Sequence, residues 1–163
     1  MKNAFAPIVF PDSKILILGT MPGDKSLELK EYYGNRNNQF WRILFSLFKE
    51  EPTTDYNAKI SLLQKNCIAL WDVLEMCERE GSLDSNIRRE VPNDFEAFYA
   101  KHPHIRFVFF SSKNAAAYYK KHIGMRAGIA YEILPSPSGA NAAMPYLEKL
   151  EIWKQKILPV LKK

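Results

Sequence analysis

The sequence predicts an α/β fold, a three-layer α/β/α sandwich built on a central, mainly parallel sheet of about four strands. Short apolar segments alternate along the chain with longer amphipathic ones, which is the pattern of strands connected by helical crossovers. The apolar segments also lack a regular alternation of polar and apolar residues. Strands of that kind are buried on both faces, as in a parallel sheet covered by helices.

The first predicted strand is "ILIL", residues 15–18, which Gly19 ends. The following "GTMPGD" predicts a tight turn, because Pro22 fixes its own φ and the glycines permit left-handed conformations. Residues 38–49, "NQFWRILFSLFK", predict a helix with a wide buried face and with Asn38 as its N-cap. Residues 57–64 predict another short helix.

The remaining elements continue the alternation. We interpret "CIALWDVL" (67–74) as a second strand that runs into a loop, "DSNI" (84–87) as a loop, and residues 92–103 as a helix bounded by prolines. "IRFVFFSS" (105–112) predicts the third strand and residues 113–123 the helix after it. "AYEILPSPSGAN" (130–141) predicts a fourth strand that breaks into a Pro/Ser loop, and residues 144–163 predict an amphipathic last helix.

Three unusual segments follow predicted strands: "GTMPGD", "WDVLEMC" and "LPSPSGAN". In open α/β sheets, ligands bind outside the carboxyl ends of the strands. We therefore expect the three segments to converge on one cleft.

Length and composition indicate a single domain over residues 1–163, with 47% hydrophobic residues and a formal net charge of +5. The basic surplus favours polyanions as partners. No apolar run is long enough for a membrane span and no signal-peptide pattern is present, so we expect a cytoplasmic protein, or a nuclear one in a eukaryote. Cys67 and Cys77 are expected to be buried in a reducing compartment, and no His/Cys cluster predicts a metal site.

Most catalytic motifs are absent from the sequence. It has no GxSxG nucleophile elbow. "GTMPGDKS" departs from a phosphate-binding GxxxxGK[ST] loop in spacing, and Asp24 follows its second glycine, so a nucleoside triphosphatase is not expected. The loops contain small residues, hydroxyls and amides instead, whose backbone N–H groups and side chains suit phosphate binding.

Aromatic residues follow the first loop, and a base can stack on such side chains. Phe40 and Trp41 lie on the buried face of the predicted helix, so we expect them to pack in the core. Tyr33 lies beside Gly34 and an asparagine-rich turn. We therefore expect Tyr33 to bind a ligand.

Three stretches resemble the uracil-DNA glycosylase superfamily, and in particular its hypoxanthine-DNA glycosylase branch. They are "LILGTMPGDKSL…YYGNRNNQFWRIL", "CIALWDVLEMCEREGSLDSNI" and "LPSPSGAN", and the resemblance covers nearly the whole chain. It implies monofunctional cleavage of the N-glycosidic bond of a deaminated base, hypoxanthine in the first place, flipped out of DNA. It also implies no metal and no organic cofactor. The partner is then DNA, and we expect a monomer.

The resemblance further implies roles for individual residues. Asn38 would position the attacking water, with Asn35 and Asn37 as alternatives. The base would be bound by Thr20, Met21, Pro22, Gly23, Tyr33, Asp72 and Asp84. The DNA phosphates would be bound by Ser136, Ser138, Gly139 and Asn141.

The sequence departs from the superfamily pattern at three places. Met21 replaces the usual Asp or Asn of the first motif and can neither position nor activate water. Leu134 stands where the uracil enzymes often have His, and Ser138 matches the residue that commonly wedges into the duplex. Three alternatives therefore stay open: a uracil- or mismatch-specific glycosylase, a catalytically inactive nucleic-acid-binding module, and an enzyme acting on free nucleosides or nucleotides.

Overall fold

Four parallel strands form the central sheet in the computed structural model, which describes residues 1–162. They are β2 (Ile15–Gly19), β3 (Ile68–Asp72), β6 (Phe107–Phe110) and β7 (Ala130–Ile133). Their order is β3-β2-β6-β7. The register places Gly19 beside Asp72, Leu18 beside Phe110 and Phe110 beside Ile133, so all four carboxyl ends lie along one edge. The expected α/β class and parallel sheet are confirmed.

Helices cover both faces of this sheet. They are α1 (Asp24–Leu29), α2 (Phe40–Leu47), α3 (Tyr56–Lys65), α4 (Phe95–Lys101), α5 (Lys113–His122) and α6 (Tyr146–Leu161). Leu16 and Leu18 of β2 pack with residues of α4 and α5. Ile15 and Ile17 belong to the opposite core cluster, with residues of α2, α3 and α6. Alternate side chains of one buried strand thus enter two different cores, which makes the three layers.

A second, antiparallel sheet has the order β1-β4-β5. Its strands are β1 (Lys2–Asn3), β4 (Leu74–Glu78) and β5 (Arg88–Pro92), and a single 3₁₀ turn (Asp84–Asn86) lies between the last two. The expectation of a loop over "WDVLEMC" is therefore wrong beyond Val73. Strands β1 and β5 expose most of their residues, so no apolar run marks them in the sequence.

The start of α2 also differs from the expectation. Its N-cap is Gln39, whose side chain makes no capping hydrogen bond. Asn38 precedes the cap, and its Oδ1 accepts a hydrogen bond of 2.9 Å from the backbone N–H of Phe40. Asn38 thus satisfies a first-turn donor from one position earlier than a conventional N-cap. Phe40 and Trp41 are buried in the core, as expected.

The two cysteines are both free thiols, but they differ in environment. Cys77 is fully buried, as expected. Cys67 is only half-buried and has a φ of 62°, because it forms the turn that leads into β3. No helix within residues 1–162 has both the length and the apolar character that crossing a bilayer requires.

Candidate active site

A cavity of about 970 Å³ opens at the carboxyl edge of the central sheet. Each of the four parallel strands contributes to its wall through its end or through the segment that follows it: Gly19–Gly23, Asp72, Ser111–Asn114 and Ile133–Ser138. The expected convergence of "GTMPGD" and "LPSPSGAN" on one cleft is therefore observed. From "WDVLEMC", only Asp72 borders the cavity.

Nearly all the candidate site residues border this cavity. They are Thr20, Met21, Pro22, Gly23, Tyr33, Asn38, Asp72, Asp84, Ser136, Ser138 and Asn141. Gly139 is not part of the wall. A Cβ on Gly139 would lie 3.0 Å from the carbonyl oxygen of Asn37, so this glycine lets the loop pack closely on the asparagine-rich turn. Among the three asparagines considered for the water, Asn35 and Asn38 border the cavity and Asn37 does not.

Tyr33 stands over the carboxyl edge of the sheet in a conformation that is rare for a bulky residue. Its φ of 52° lies in the left-handed region, which indicates strain that the surroundings enforce. Phe40 stacks on one face of its ring, with centroids 3.8 Å apart and an interplanar angle of 11°. The Tyr33 hydroxyl donates a 3.2 Å hydrogen bond to Ser111 Oγ. The ring is thus held from two sides, and Tyr33 borders the cavity.

Asp72 is the buried carboxyl of the site. Only 4% of the residue is exposed, and its Oδ2 is buried without a hydrogen-bond partner among the described residues. Burial, followed by the nearby Asp84, raises the pKa of Asp72 to about 7, against the opposing effect of Arg79. A Cβ on Gly19 would lie 2.7 Å from Asp72 Oδ1, so only glycine fits at the end of β2. An unpaired buried oxygen of this kind is costly unless a ligand donates to it.

Asp84 is the second carboxyl of the cavity wall. Asn114 Nδ2 donates to its Oδ2 over 3.4 Å. Burial raises the pKa of Asp84, while the Thr20 hydroxyl and Asn114 lower it. Asp84 is therefore connected to the start of α5, which follows β6.

Asn38 presents a carboxamide whose orientation is fixed. Its Oδ1 accepts from Phe40 N, and its own backbone N–H donates to Asn35 O over 2.9 Å. The second lone pair of Oδ1 and the Nδ2 group remain for a ligand or a water. Met21 is buried in a core cluster and has neither a titratable proton nor a strong hydrogen-bonding atom.

The segment 135–141 is a turn stabilised by its own polar groups. Ser136 Oγ accepts from Ser138 N, Ser138 Oγ accepts from Ala140 N, and Asn141 Nδ2 donates to Ser136 O, each over 3.2 Å. Because the two hydroxyls accept within the loop, their protons are left to donate outward. A turn with two such hydroxyl donors suits an anion.

A buried lysine connects this segment to the asparagine-rich turn. Lys149 of α6 is 1% exposed, and its Nζ donates to Gln39 Oε1 over 2.9 Å. The backbone N–H of Gln39 in turn donates to Pro137 O over 2.8 Å. Burial lowers the pKa of Lys149. The chain of contacts joins α6, the start of α2 and the segment 135–141.

Sequence reasoning missed several residues of the wall. The main ones are Ser82, Leu83, Ser111, Ser112, Lys113 and Asn114. The rule that ligands bind at the carboxyl ends of parallel strands would have found residues 111–114, because they directly follow β6. No comparable signal marks Ser82 and Leu83, which the antiparallel sheet brings to the cavity.

Comparisons with known proteins agree with this geometry. The family model described as the uracil DNA glycosylase superfamily matches residues 7–162. A protein of Methanosarcina barkeri named hypoxanthine DNA glycosylase is 37% identical over 141 residues, which is 86% of this chain and 88% of that protein. A protein of the same name from Methanosarcina acetivorans is 38% identical over 142 residues, 86% of this chain and 89% of its own length.

A solved structure has the same fold. The solution NMR structure of a protein from Methanosarcina acetivorans, assigned provisionally as a uracil DNA glycosylase, matches with a TM-score of 0.82. The two are 34% identical in sequence, and the match covers 99% of each chain.

Proposed function

Because this chain belongs to the uracil DNA glycosylase superfamily, we propose that it is a hypoxanthine DNA glycosylase. It hydrolyses the N-glycosidic bond of hypoxanthine in DNA, leaves an abasic site, and so begins base excision repair. One observation carries the proposal: Tyr33, Asn38, Asp72 and Ser136 border a single cavity at the carboxyl edge of the sheet. That cavity combines a stacking surface, a carboxamide, a buried acceptor and a polar turn.

The base enters this cavity after leaving the stack, since enzymes that act on a base in duplex DNA extrude the nucleotide. Phe40 covers one face of Tyr33, so the other face is the one on which the purine stacks. The outward hydroxyls of Ser136 and Ser138 bind the phosphates that flank the everted nucleotide. Three lysines border the cavity, Lys25, Lys113 and Lys156. Lys25 and Lys156 already pair with Glu28 and Glu132, so Lys113 adds the positive charge for the backbone.

Asp72 supplies the chemical basis for distinguishing hypoxanthine from adenine, the base whose deamination produces it. Hypoxanthine carries a proton on N1, whereas adenine has a lone pair there. An ionised Asp72 with an unpaired oxygen accepts from the N1–H of hypoxanthine and repels the N1 lone pair of adenine. A site with a buried unpaired polar group rejects a base that lacks the matching one.

The chemical step demands little of the protein. The bond between C1′ and N9 breaks and its electron pair leaves with the base, which gives an oxocarbenium-like sugar. Water then bonds to C1′ and gives up a proton, and the departing base gains one. Asn38 holds the water below C1′, and the backbone N–H groups of Thr20, Met21 and Gly23 stabilise O6 and N7 of the leaving purine. Preorganised dipoles in a desolvated cavity suffice for such a step.

Uracil is the second candidate base, because its N3–H offers Asp72 the same donor. End-labelled duplexes that each carry one hypoxanthine, uracil, xanthine or mispaired thymine decide between the two, since alkali cleaves the strand at any abasic site. We expect cleavage to be fastest at hypoxanthine. Faster cleavage at uracil would reassign the substrate, and tight binding of all duplexes without cleavage would make the chain an inactive DNA-binding module.

Two further expectations belong to this proposal. The protein acts as a monomer, which sedimentation would report as a species of 18.9 kDa. It is located with the chromosomal DNA, in the cytoplasm of a prokaryote or the nucleus of a eukaryote, and localisation of a tagged chain would test this.

A further inference from the structure

We infer that Leu83 enters the base stack and fills the space that the everted nucleotide leaves; this role rests on the proposed function. Leu83 borders the cavity, yet 59% of it is exposed to solvent. Its neighbour Asp84 lies in the cavity wall and bonds to Asn114. Leu83 is therefore an apolar side chain at the mouth of a polar cavity, with no folded core to cover it.

The segment that carries Leu83 is held rigidly. Ser82 Oγ accepts a 2.9 Å hydrogen bond from the backbone N–H of Asp24. The carbonyl oxygen of Gly81 accepts from Arg79 Nε and from Lys2 Nζ, both over 2.8 Å. The side chain is thus presented by a braced turn, so little conformational entropy is lost when it inserts into DNA.

The brace also fixes Leu83 relative to the base-binding loop. The buried Arg79 donates through Nη2 to the carbonyl oxygen of Pro22 over 2.6 Å, within the loop after β2. A Cβ on Gly23 would lie 3.3 Å from Ser82 Oγ, so the two loops touch. Arg88 Nη1 donates to Ser85 O, two residues after Leu83, so the turn is also held from the start of β5.

The loop after β7 offers no apolar side chain that is exposed to the same extent. Its residues Ser138, Ala140 and Asn141 are small or polar, and Met144, which also borders the cavity, is only half-buried where Leu83 is exposed. Ile133 is also exposed at the cavity, but it lies within strand β7 and borders a second hollow next to Phe110. Wedges that proteins insert between base steps are apolar side chains such as Phe, Leu, Ile and Met. Leu83 combines that chemistry with a position on a projecting turn.

The experiment compares Leu83→Ala with Leu147→Ala, a matched control at a leucine that is 74% exposed and outside the cavity wall. Single-turnover release of hypoxanthine is measured in duplex and in single-stranded DNA. We expect Leu83→Ala to slow release from duplex by about tenfold to hundredfold, the effect of burying one leucine. Single strands have no gap to fill, so their rate should be unchanged, and Leu147→Ala should match the wild type on both substrates.

A second measurement separates this role from catalysis. A duplex with a stable abasic analogue already contains the gap, so the wild type should bind it more tightly than intact duplex. Leu83→Ala should reduce this ratio of affinities by about tenfold, whereas Leu83→Met should leave the ratio unchanged. A wild type that releases no base would refute the proposed function, and the affinities would still decide the role of Leu83. The role is overturned if Leu83→Ala keeps the wild-type preference, or if it slows duplex and single strand equally.

Discussion

Burial of the Asp72 carboxyl lowers the stability of the folded protein. Replacing Asp72 by asparagine removes this carboxyl. The pKa of Asp72 is raised from an ordinary value of 3.8 to about 7. Between these values the folded state keeps a proton that the unfolded chain releases, so stability falls as the pH rises. The difference between the two pKa values lowers the free energy of unfolding by about 4 kcal/mol at pH 8. About 2 kcal/mol of this loss is already present at pH 5.

Asp72→Asn should therefore be more stable than the wild type, and by a larger margin at pH 8 than at pH 5. The margin should grow by about 2 kcal/mol between the two pH values, or roughly 4–8 °C in Tm for a chain of this size. Thermal unfolding followed by circular dichroism at both pH values measures it. Asp12→Asn serves as the control, because Asp12 is exposed and lies outside the cavity wall.

Two results would refute this reasoning. A variant less stable than the wild type at pH 8 would mean that the folded protein stabilises the carboxylate through donors near Oδ2. A margin equal at pH 5 and pH 8 would mean that Asp72 titrates normally despite its burial.

The same titration governs the activity. If ionised Asp72 accepts from N1–H, wild-type release of hypoxanthine should rise about tenfold from pH 6 to pH 8, following the ionised fraction of a group with a pKa of about 7. Asp72→Asn still offers an amide oxygen, so it should retain reduced activity without this pH dependence. A wild-type rate that is flat or falling over this interval would exclude an ionised Asp72 from base recognition.

Three further substitutions test the rest of the site. Asn38→Ala should abolish release of hypoxanthine and cost about 1 kcal/mol of stability, because the contact to Phe40 N is lost. Asn38→Asp is the control that keeps this contact. Full activity of the alanine variant would exclude Asn38 as the residue that holds the water. Tyr33→Ala should weaken binding of a hypoxanthine duplex by about 1–3 kcal/mol, the contribution of one stacked base. Tyr33→Phe keeps the ring and should bind with an affinity close to that of the wild type. Equal affinities for all three proteins would mean that Tyr33 has only a structural role. Gly19→Ala should destabilise the fold by about 1–3 kcal/mol and displace the Asp72 carboxyl, and an unchanged pH–rate profile would contradict that displacement.

Three strands of the central sheet could be predicted because they are buried, whereas the edge strand β7 exposes most of its residues. "ILIL" and "IRFVFFSS" can be recognised from local composition alone, and the rule for the carboxyl ends of parallel strands then locates the cavity. The same rule, applied to β6, would have added Asn114. The prediction stopped at β4 and β5, because a strand such as Arg88–Pro92 exposes most of its residues and depends on partners distant in sequence.

The roles of individual residues depended on tertiary contacts that the sequence does not contain. Asn38 was recognised as a helix-start residue, but the actual cap is Gln39, whose side chain instead accepts from Lys149. Leu83 became notable only because the antiparallel sheet brings residues 82–84 to the mouth of the cavity. Asp72 was a candidate from its position near a strand end, whereas its burial and its unpaired Oδ2 are visible only in the folded structure.

The contact of Lys149 with Gln39, and of Gln39 with Pro137, has a mechanical consequence. It joins the turn that carries Asn38 to the segment 135–141, so these two parts of the cavity wall are held in a fixed relative position. On the other side of the cavity, Arg79 and Ser82 join the β2–α1 loop to the turn with Leu83, so those two segments also form one unit.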